Sequence, residues 1–175
     1  NLPFILTNSQ KKVLNEINSD LKSNSRMFRI IQGDVGSGKT IVALLMMANV
    51  VESKYQCAIM SPTEILAKQH FNSAKKIFRN TNFKVDFLSG KTDTKEKKLI
   101  LKNLKDGKID ILIGTHSLFQ KKTIFKKLGL IVIDEQHKFG VKQRADLAIK
   151  GGDNCDVLLM SATPIPRTMM MSLYG

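Results

Sequence analysis

Apolar residues follow two rhythms along this chain. Short, mostly apolar runs at residues 28–31, 58–60, 85–88, 111–113, 130–133 and 157–160 are bounded by polar or glycine positions. Runs of this length and composition read as strands buried on both faces. Between them, apolar positions recur at helical spacing over residues 9–21, 39–53, 64–80, 94–106 and roughly 141–150. Strand–helix alternation predicts an α/β fold with a mostly parallel sheet and helices on both faces. Its crossovers are expected to be right-handed. Ligands of such sheets sit beyond the carboxyl ends of the strands, and polar motifs follow five of the six expected strands.

The first strand leads into Gly33-Asp34-Val35-Gly36-Ser37-Gly38-Lys39-Thr40, a full match to G-x-x-x-x-G-K-[ST]. The pattern makes physical sense as a phosphate cradle. Glycines let the backbone approach an anion, and successive N–H groups at a helix start form a nest for it. Lys39 is expected at the β- and γ-phosphates of ATP, and the Thr40 hydroxyl on Mg²⁺. The fifth strand carries Asp134 to the end of the sheet, followed by Glu135, Gln136 and His137. Asp134 is placed to hold Mg²⁺ with Thr40. Glu135, at the strand-to-loop break, is the candidate general base for an attacking water. His137 has no Cys or second His at ligand spacing, so it reads as a relay and not as a metal ligand.

Composition adds a partner. The chain of 175 residues has 42% apolar and 25% charged residues, enough for one globular domain, and a net charge of +13. Such basicity suits a polyanion, either nucleic acid or an anionic membrane surface, or reflects a general bias toward lysine. Between Lys84 and Lys127 twelve lysines face five acids. Within that segment Lys95, Lys98, Lys102 and Lys105 form one helical stripe, either a solvated face or an electrostatic guide for duplex DNA. Cys57 and Cys155 are far apart and flank or enter apolar runs, the pattern of buried reduced thiols in a cytoplasmic protein. The longest mostly apolar stretch, residues 41–51, is far short of the ~20 needed to span a membrane. The opening Asn1-Leu2-Pro3-Phe4 lacks Met and any secretory pattern, so the chain reads as a piece of something longer. Thr63 and Thr115 each follow a strand and read as helix starts, where hydroxyl and N–H groups grip a backbone phosphate or simply cap the helix.

In order and identity these segments resemble the motifs of superfamily 2 helicases. The phosphate loop matches motif I, Asp134-Glu135-Gln136-His137 motif II, and Ser161-Ala162-Thr163 motif III. Pro62-Thr63-Glu64-Ile65-Leu66-Ala67 is similar to motif Ia, Leu88-Ser89-Gly90 to motif Ib, and Gly114-Thr115-His116 to motif Ic. Leu6, Thr7 and Gln10, with Phe4 upstream, resemble the adenine-reading segment. Gln136, and residues 62–67, favour the bacterial translocases of branched DNA within this superfamily over the transcription-repair translocases. Lys138 stands where that group usually has Arg, which loses bidentate geometry, and Ser161 where it often has Thr.

The resemblance implies a RecA-like P-loop NTPase domain over residues 1–175, the first lobe of an ATP-dependent DNA helicase or double-strand translocase. Such a motor remodels stalled forks and Holliday junctions, as a cytoplasmic, nucleoid-associated monomer in bacteria. It implies that Gln10 bonds the adenine and Phe4 packs on it. It implies that Pro62, Thr63, Glu64, Gly90, Gly114, Thr115 and His116 face DNA. Gln136, His137, Ser161, Ala162, Thr163 and Arg167 would couple nucleotide to DNA. A second lobe and a wedge domain would lie elsewhere in the same polypeptide, leaving the lobe alone nearly inactive. Two other readings stay open: a transcription-repair translocase lobe, and a nucleotide-dependent switch that binds nucleic acid without moving. RNA as the substrate is not excluded by any of these residues.

Overall fold

The computed structural model describes residues 6–21, 27–135 and 155–162. Along the chain run α1 (Asn8–Leu21), β1 (Phe28–Gln32), α2 (Lys39–Glu52), β2 (Gln56–Met60) and α3 (Glu64–Ile77). They are followed by β3 (Val85–Leu88), α4 (Thr94–Lys105), β4 (Ile111–Gly114), a single 3₁₀ turn (His116–Phe119), β5 (Leu128–Asp134) and β6 (Asp156–Ser161). All six expected strands form, within two residues of the apolar runs. α3 stops at Ile77, short of residue 80, because the Phe78 N–H closes the last turn on Ala74 O and the chain then turns away. The expected helix over residues 141–150 lies outside the described residues.

The strands form one sheet in the order β1-β6-β5-β2-β4-β3, and every pair is parallel. Parallel strands need crossovers, and α2, α3 and α4 supply three of them. Side chains alternate across the sheet. Cys57, Ile59, Ile111, Ile113, Leu130, Val132, Leu158 and Met160 pack with residues of α1 and α2 and with Ala74 and Phe78. Ala58, Met60, Leu112, Ile131, Ile133, Val157 and Leu159 pack with Ile100 and Leu104 of α4 on the other side. Helices therefore cover both faces, as the near-continuous apolar strands require. Both cysteines are buried as thiols, and burial pushes that of Cys57 up. Among the described residues no helix is long and apolar enough to cross a membrane.

α1 is fastened to the sheet by charge as well as packing. Arg29 on β1 donates to Asp20 and, at 3.3 Å, to Glu16, both on α1. The far end of the sheet is fixed by close backbone approach. A Cβ on Gly114 would lie 2.0 Å from the carbonyl oxygen of Leu88 on the neighbouring strand. Only glycine permits the β3–β4 contact at this point. Gly114→Ala is expected to destabilise the fold by about 1–3 kcal/mol, as overpacking does. At this size that corresponds to a Tm lower by about 3–10 °C in a circular-dichroism melt.

Candidate functional site

The ends of β1, β6 and β5 lie side by side in the sheet, and the phosphate loop follows β1. Beyond β1 the chain turns at Gly36 and Gly38, whose φ angles of 84° and 86° lie in the left-handed region. Gly38 has a second reason to be glycine: a Cβ there would lie 2.2 Å from Gln10 Nε2. Val35, in the turn, is 90% exposed. Lys39 opens α2, and its Nζ donates back to the carbonyls of Gly33 and, at 2.9 Å, of Asp34. The ammonium thus lies within the loop that carries it. Thr40 occupies the next position, in the first turn of α2.

The loop is tied down from two sides. The Gly33 N–H donates to Ser161 O at 3.3 Å, linking it to the end of β6. Gln10 Nε2 donates to Ser37 O at 3.2 Å, linking it to α1. Gln10 is itself held: its Oε1 accepts from the Thr7 N–H at 3.0 Å, while its own N–H donates to Thr7 Oγ1 at 3.2 Å. This reciprocal box starts α1, and the Thr-x-x-Gln spacing is its signature in the sequence.

The two acids at the end of β5 are anchored in different directions. Asp134 is 7% exposed, and its Oδ2 accepts from His70 Nε2 at 2.7 Å. His70 is equally buried, on the inward stripe of α3 with Ala67 and Ala74. Sequence reasoning gave it no role; its only signal was a polar residue at an apolar position of that stripe. Glu135 has φ of 51°, unusual for a residue with a Cβ. That turn sends its N–H to Met160 O at 2.9 Å and brings its Oε1 within 3.2 Å of the Ala162 N–H. The candidate base is therefore held by the residue that follows β6.

The donor set fits magnesium. Among the described residues no group of three or more His, Cys, Asp or Glu gathers as a metal cage. Mg²⁺ does not need one, since it keeps waters and uses one or two carboxylates plus substrate phosphates. The Asp134 carboxylate and the Thr40 hydroxyl are hard oxygen donors of the required kind.

The other half of the sheet carries the residues expected at nucleic acid. Thr63 caps α3: it is exposed, and its Oγ1 accepts from the Leu66 N–H at 3.3 Å while its hydroxyl keeps a proton to donate. Pro62 precedes it, half-buried. Glu64 is paired with Lys68 at 2.9 Å and lies 3.8 Å from Lys91. The Lys68 hydrogen bond, aided by the charges of both lysines, holds the Glu64 carboxyl below the ordinary glutamate value. Gly90 is exposed with open space around it. At Thr115 the expected helix start is corrected. Only the four-residue 3₁₀ turn follows it, Thr115 is 4% exposed, and its side chain makes no cap. The cause is the tight β3–β4 junction, where the Thr115 N–H is drawn to Leu88 O at 3.3 Å. His116, next in the chain, is exposed. Lys95, Lys98, Lys102 and Lys105 all lie on the exposed side of α4, opposite Ile100 and Leu104. Phe4, Gln136, His137, Thr163 and Arg167 lie outside the described residues; Ser161 is buried and Ala162 half-buried.

The family model described as DEAD/DEAH box helicase matches residues 7–172. Two curated relatives are both described as ATP-dependent DNA helicase RecG. That of Streptococcus pneumoniae serotype 4 is 52% identical over 174 residues, covering 99% of this chain and 26% of that protein. That of Aquifex aeolicus is 50% identical over 175 residues, covering 99% of this chain and 22% of that protein. The chain spans about a quarter of the length of these relatives. A structure of RecG bound to a three-way DNA junction superposes with a TM-score of 0.84 at 46% identity, covering 99% of this chain and 23% of that one. A DEAD-box helicase bound to ssRNA and UDP-BeF superposes with a TM-score of 0.74 at 23% identity, over 98% and 38% of the two chains. The second likeness shows the fold alone, and both fit the expected RecA-like architecture.

Gln10→Ala removes the bond to Ser37 and half of the box at the start of α1. One neutral hydrogen bond contributes about 1 kcal/mol. Affinity for a nucleoside triphosphate is accordingly expected to fall about fivefold in a fluorescence titration.

Proposed function

The chain belongs to the DEAD/DEAH box helicase family, and we propose that it is the ATP-binding lobe of a motor that remodels branched duplex DNA. The observation that carries this reading is the bonded set of Gly33 with Ser161 and Glu135 with Ala162. It brings phosphate loop, acidic pair and third motif to one place, as a nucleotide-driven machine needs. The likeness to RecG over the whole chain supports DNA as the track, and the junction complex of that relative supports a branched substrate. Residues 1–175 form the first RecA-like lobe of a longer polypeptide. The relatives' additional length leaves room for a second motor lobe and a wedge domain. A monomeric cytoplasmic protein of the bacterial nucleoid is the setting that fits this role.

In this reading the loop's N–H groups hold the phosphates of ATP, and Lys39 exchanges the carbonyls of Gly33 and Asp34 for phosphate oxygens. Thr40 and Asp134 would hold Mg²⁺, which neutralises charge on those oxygens. Glu135 orients the attacking water and takes its proton. Gln10 turns part of its amide to the adenine, against which Phe4 packs. Gln136, His137, Ser161, Ala162, Thr163 and Arg167 pass the nucleotide state to the DNA side. There Pro62, Thr63, Glu64, Gly90 and His116 follow the backbone without reading bases, and the buried Gly114 and Thr115 form the turn that leads into His116. Thr63 is best suited to a phosphate, because it alone of the two threonines starts a long helix and is exposed.

In the full-length protein Lys39→Ala is expected to lose nucleotide binding, and Glu135→Gln to keep binding while turnover falls at least about a hundredfold. ATPase assays with a fork, linear duplex, single strand and RNA at one salt concentration check both this and the substrate. Highest turnover with the fork is expected. Equal stimulation by linear duplex would favour a transcription-repair translocase, and stimulation by RNA alone would overturn the DNA assignment. The 175-residue lobe by itself is expected to hydrolyse ATP about 10³-fold or more slowly, since it lacks the arginine finger of a second lobe.

The lysine stripe gives a separate expectation. Lys98→Glu with Lys102→Glu should weaken duplex binding and make its dependence on log salt less steep. An unchanged slope in full-length protein would assign the stripe to solvent alone.

A further inference from the structure

The strand order divides the sheet functionally. β1, β6 and β5 end in the phosphate loop, Ala162 and the acidic pair, whereas β2, β4 and β3 end in Thr63, Thr115 and Gly90. Within the sheet the halves meet where β5 pairs with β2, with Met60 opposite Ile133 at the last pair. Side chains bond across the same seam at both ends: at the amino end Gln56 Oε1 accepts from the Lys126 and Lys127 N–H groups, and at the carboxyl end, where the motifs lie, His70 makes the bond. His70, from the helix that follows β2, donates to Asp134 at the end of β5 at 2.7 Å, both groups being buried.

We propose that His70 is a positioning residue: its Nε2–H fixes the Asp134 carboxylate and ties that carboxylate to the helix α3 that Thr63 caps. The inference rests on the nucleotide site proposed above. Asp134 lies nearly out of water, so an oxygen without a partner would be costly there. With Oδ2 taken by His70, Oδ1 is left as the oxygen for a cation. Outer partners of this kind orient a metal's ligand, and losing one costs ten- to a hundredfold in affinity. His70 is six residues beyond Glu64, so it sits about 9 Å along the helix axis from the first turn. A rigid helix carrying Thr63 at one end and His70 further along gives the two halves of the sheet a common part. By linkage, nucleic acid that shifts α3 would change the grip on Mg²⁺-nucleotide, and the reverse.

The test compares His70→Leu, similar in bulk but without a donor, with His70→Gln, which keeps an N–H, in the full-length protein. The measurement is the Mg²⁺ concentration giving half-maximal binding of a fluorescent ATP analogue, with and without fork DNA, and a parallel titration in EDTA. His70→Leu is expected to raise the Mg²⁺ requirement about tenfold or more, leave binding in EDTA unchanged, and abolish the effect of the fork on nucleotide affinity. His70→Gln should recover to within about threefold of the parent, since one donor is restored. If His70→Leu does not fold, His70→Asn, whose shorter amide falls short of Asp134, takes its place. An unchanged Mg²⁺ requirement, or an equal loss with and without Mg²⁺, overturns the proposal, the latter because it marks a purely structural role. A parent protein without Mg²⁺-dependent nucleotide binding would instead overturn the nucleotide site itself.

Discussion

A parallel sheet covered on both faces has its ends as the only places for polar chemistry. That constraint organises this chain. Alternate residues of β2, β4, β5 and β6 point into two apolar layers. Almost no polar side chain can be placed within those strands without a partner. The carboxyl ends are then fixed by backbone bonds between neighbouring loops: Gly33 to Ser161, Glu135 to Met160, Ser61 to Gly114, and Thr115 to Leu88. The loops that carry chemistry are in this way extensions of the sheet's own ladder. They hold their geometry because the strands beneath them cannot slip without exposing a layer of core.

Polar groups at these ends are held by specific partners, and three of the four partners come from a different segment of the chain. Lys39 rests on carbonyls of its own loop, Glu135 on the N–H of Ala162, Gln10 on Ser37, and Asp134 on His70. The left-handed turn at Glu135 costs of order 1–3 kcal/mol, offset here by the bonds it brings within reach. Such a network is one in which a change at one group is felt by the next. A ligand that draws Lys39 away breaks its bonds within the loop, one that reorients Glu135 must break the bond to the residue after β6, and one that shifts α3 must act on Asp134.

Much of this was legible in the sequence, for identifiable reasons. Buried parallel strands are nearly all apolar, so residues 111–113 and 130–133 stand out without any partner being known. The phosphate loop is local chemistry at fixed spacing, and its structure follows from eight consecutive residues. Thr115 misled because a strand followed by Thr is a helix signal only if the following residues can extend. Here the contact of Gly114 with β3 pulls the chain in and leaves one 3₁₀ turn. His70 was invisible for a different reason. Its partner is 64 residues away, and the two meet only because β2 and β5, separated by two other strands in sequence, are neighbours in the sheet. Strand order of that kind leaves no trace in periodicity.

The division of the sheet into a nucleotide half and a nucleic-acid half is the central claim, and hydrogen exchange reads it segment by segment. The full-length protein would be labelled alone, with Mg²⁺ and a non-hydrolysed ATP analogue, and with fork DNA. The account predicts that nucleotide slows exchange at residues 33–40, 134–135 and 161–162, and that DNA slows it at residues 62–66, 89–92 and 114–118. α3 around His70 should respond to both. Protection of the same segments by either ligand, or DNA protection confined to the ends of β1, β6 and β5, would contradict it.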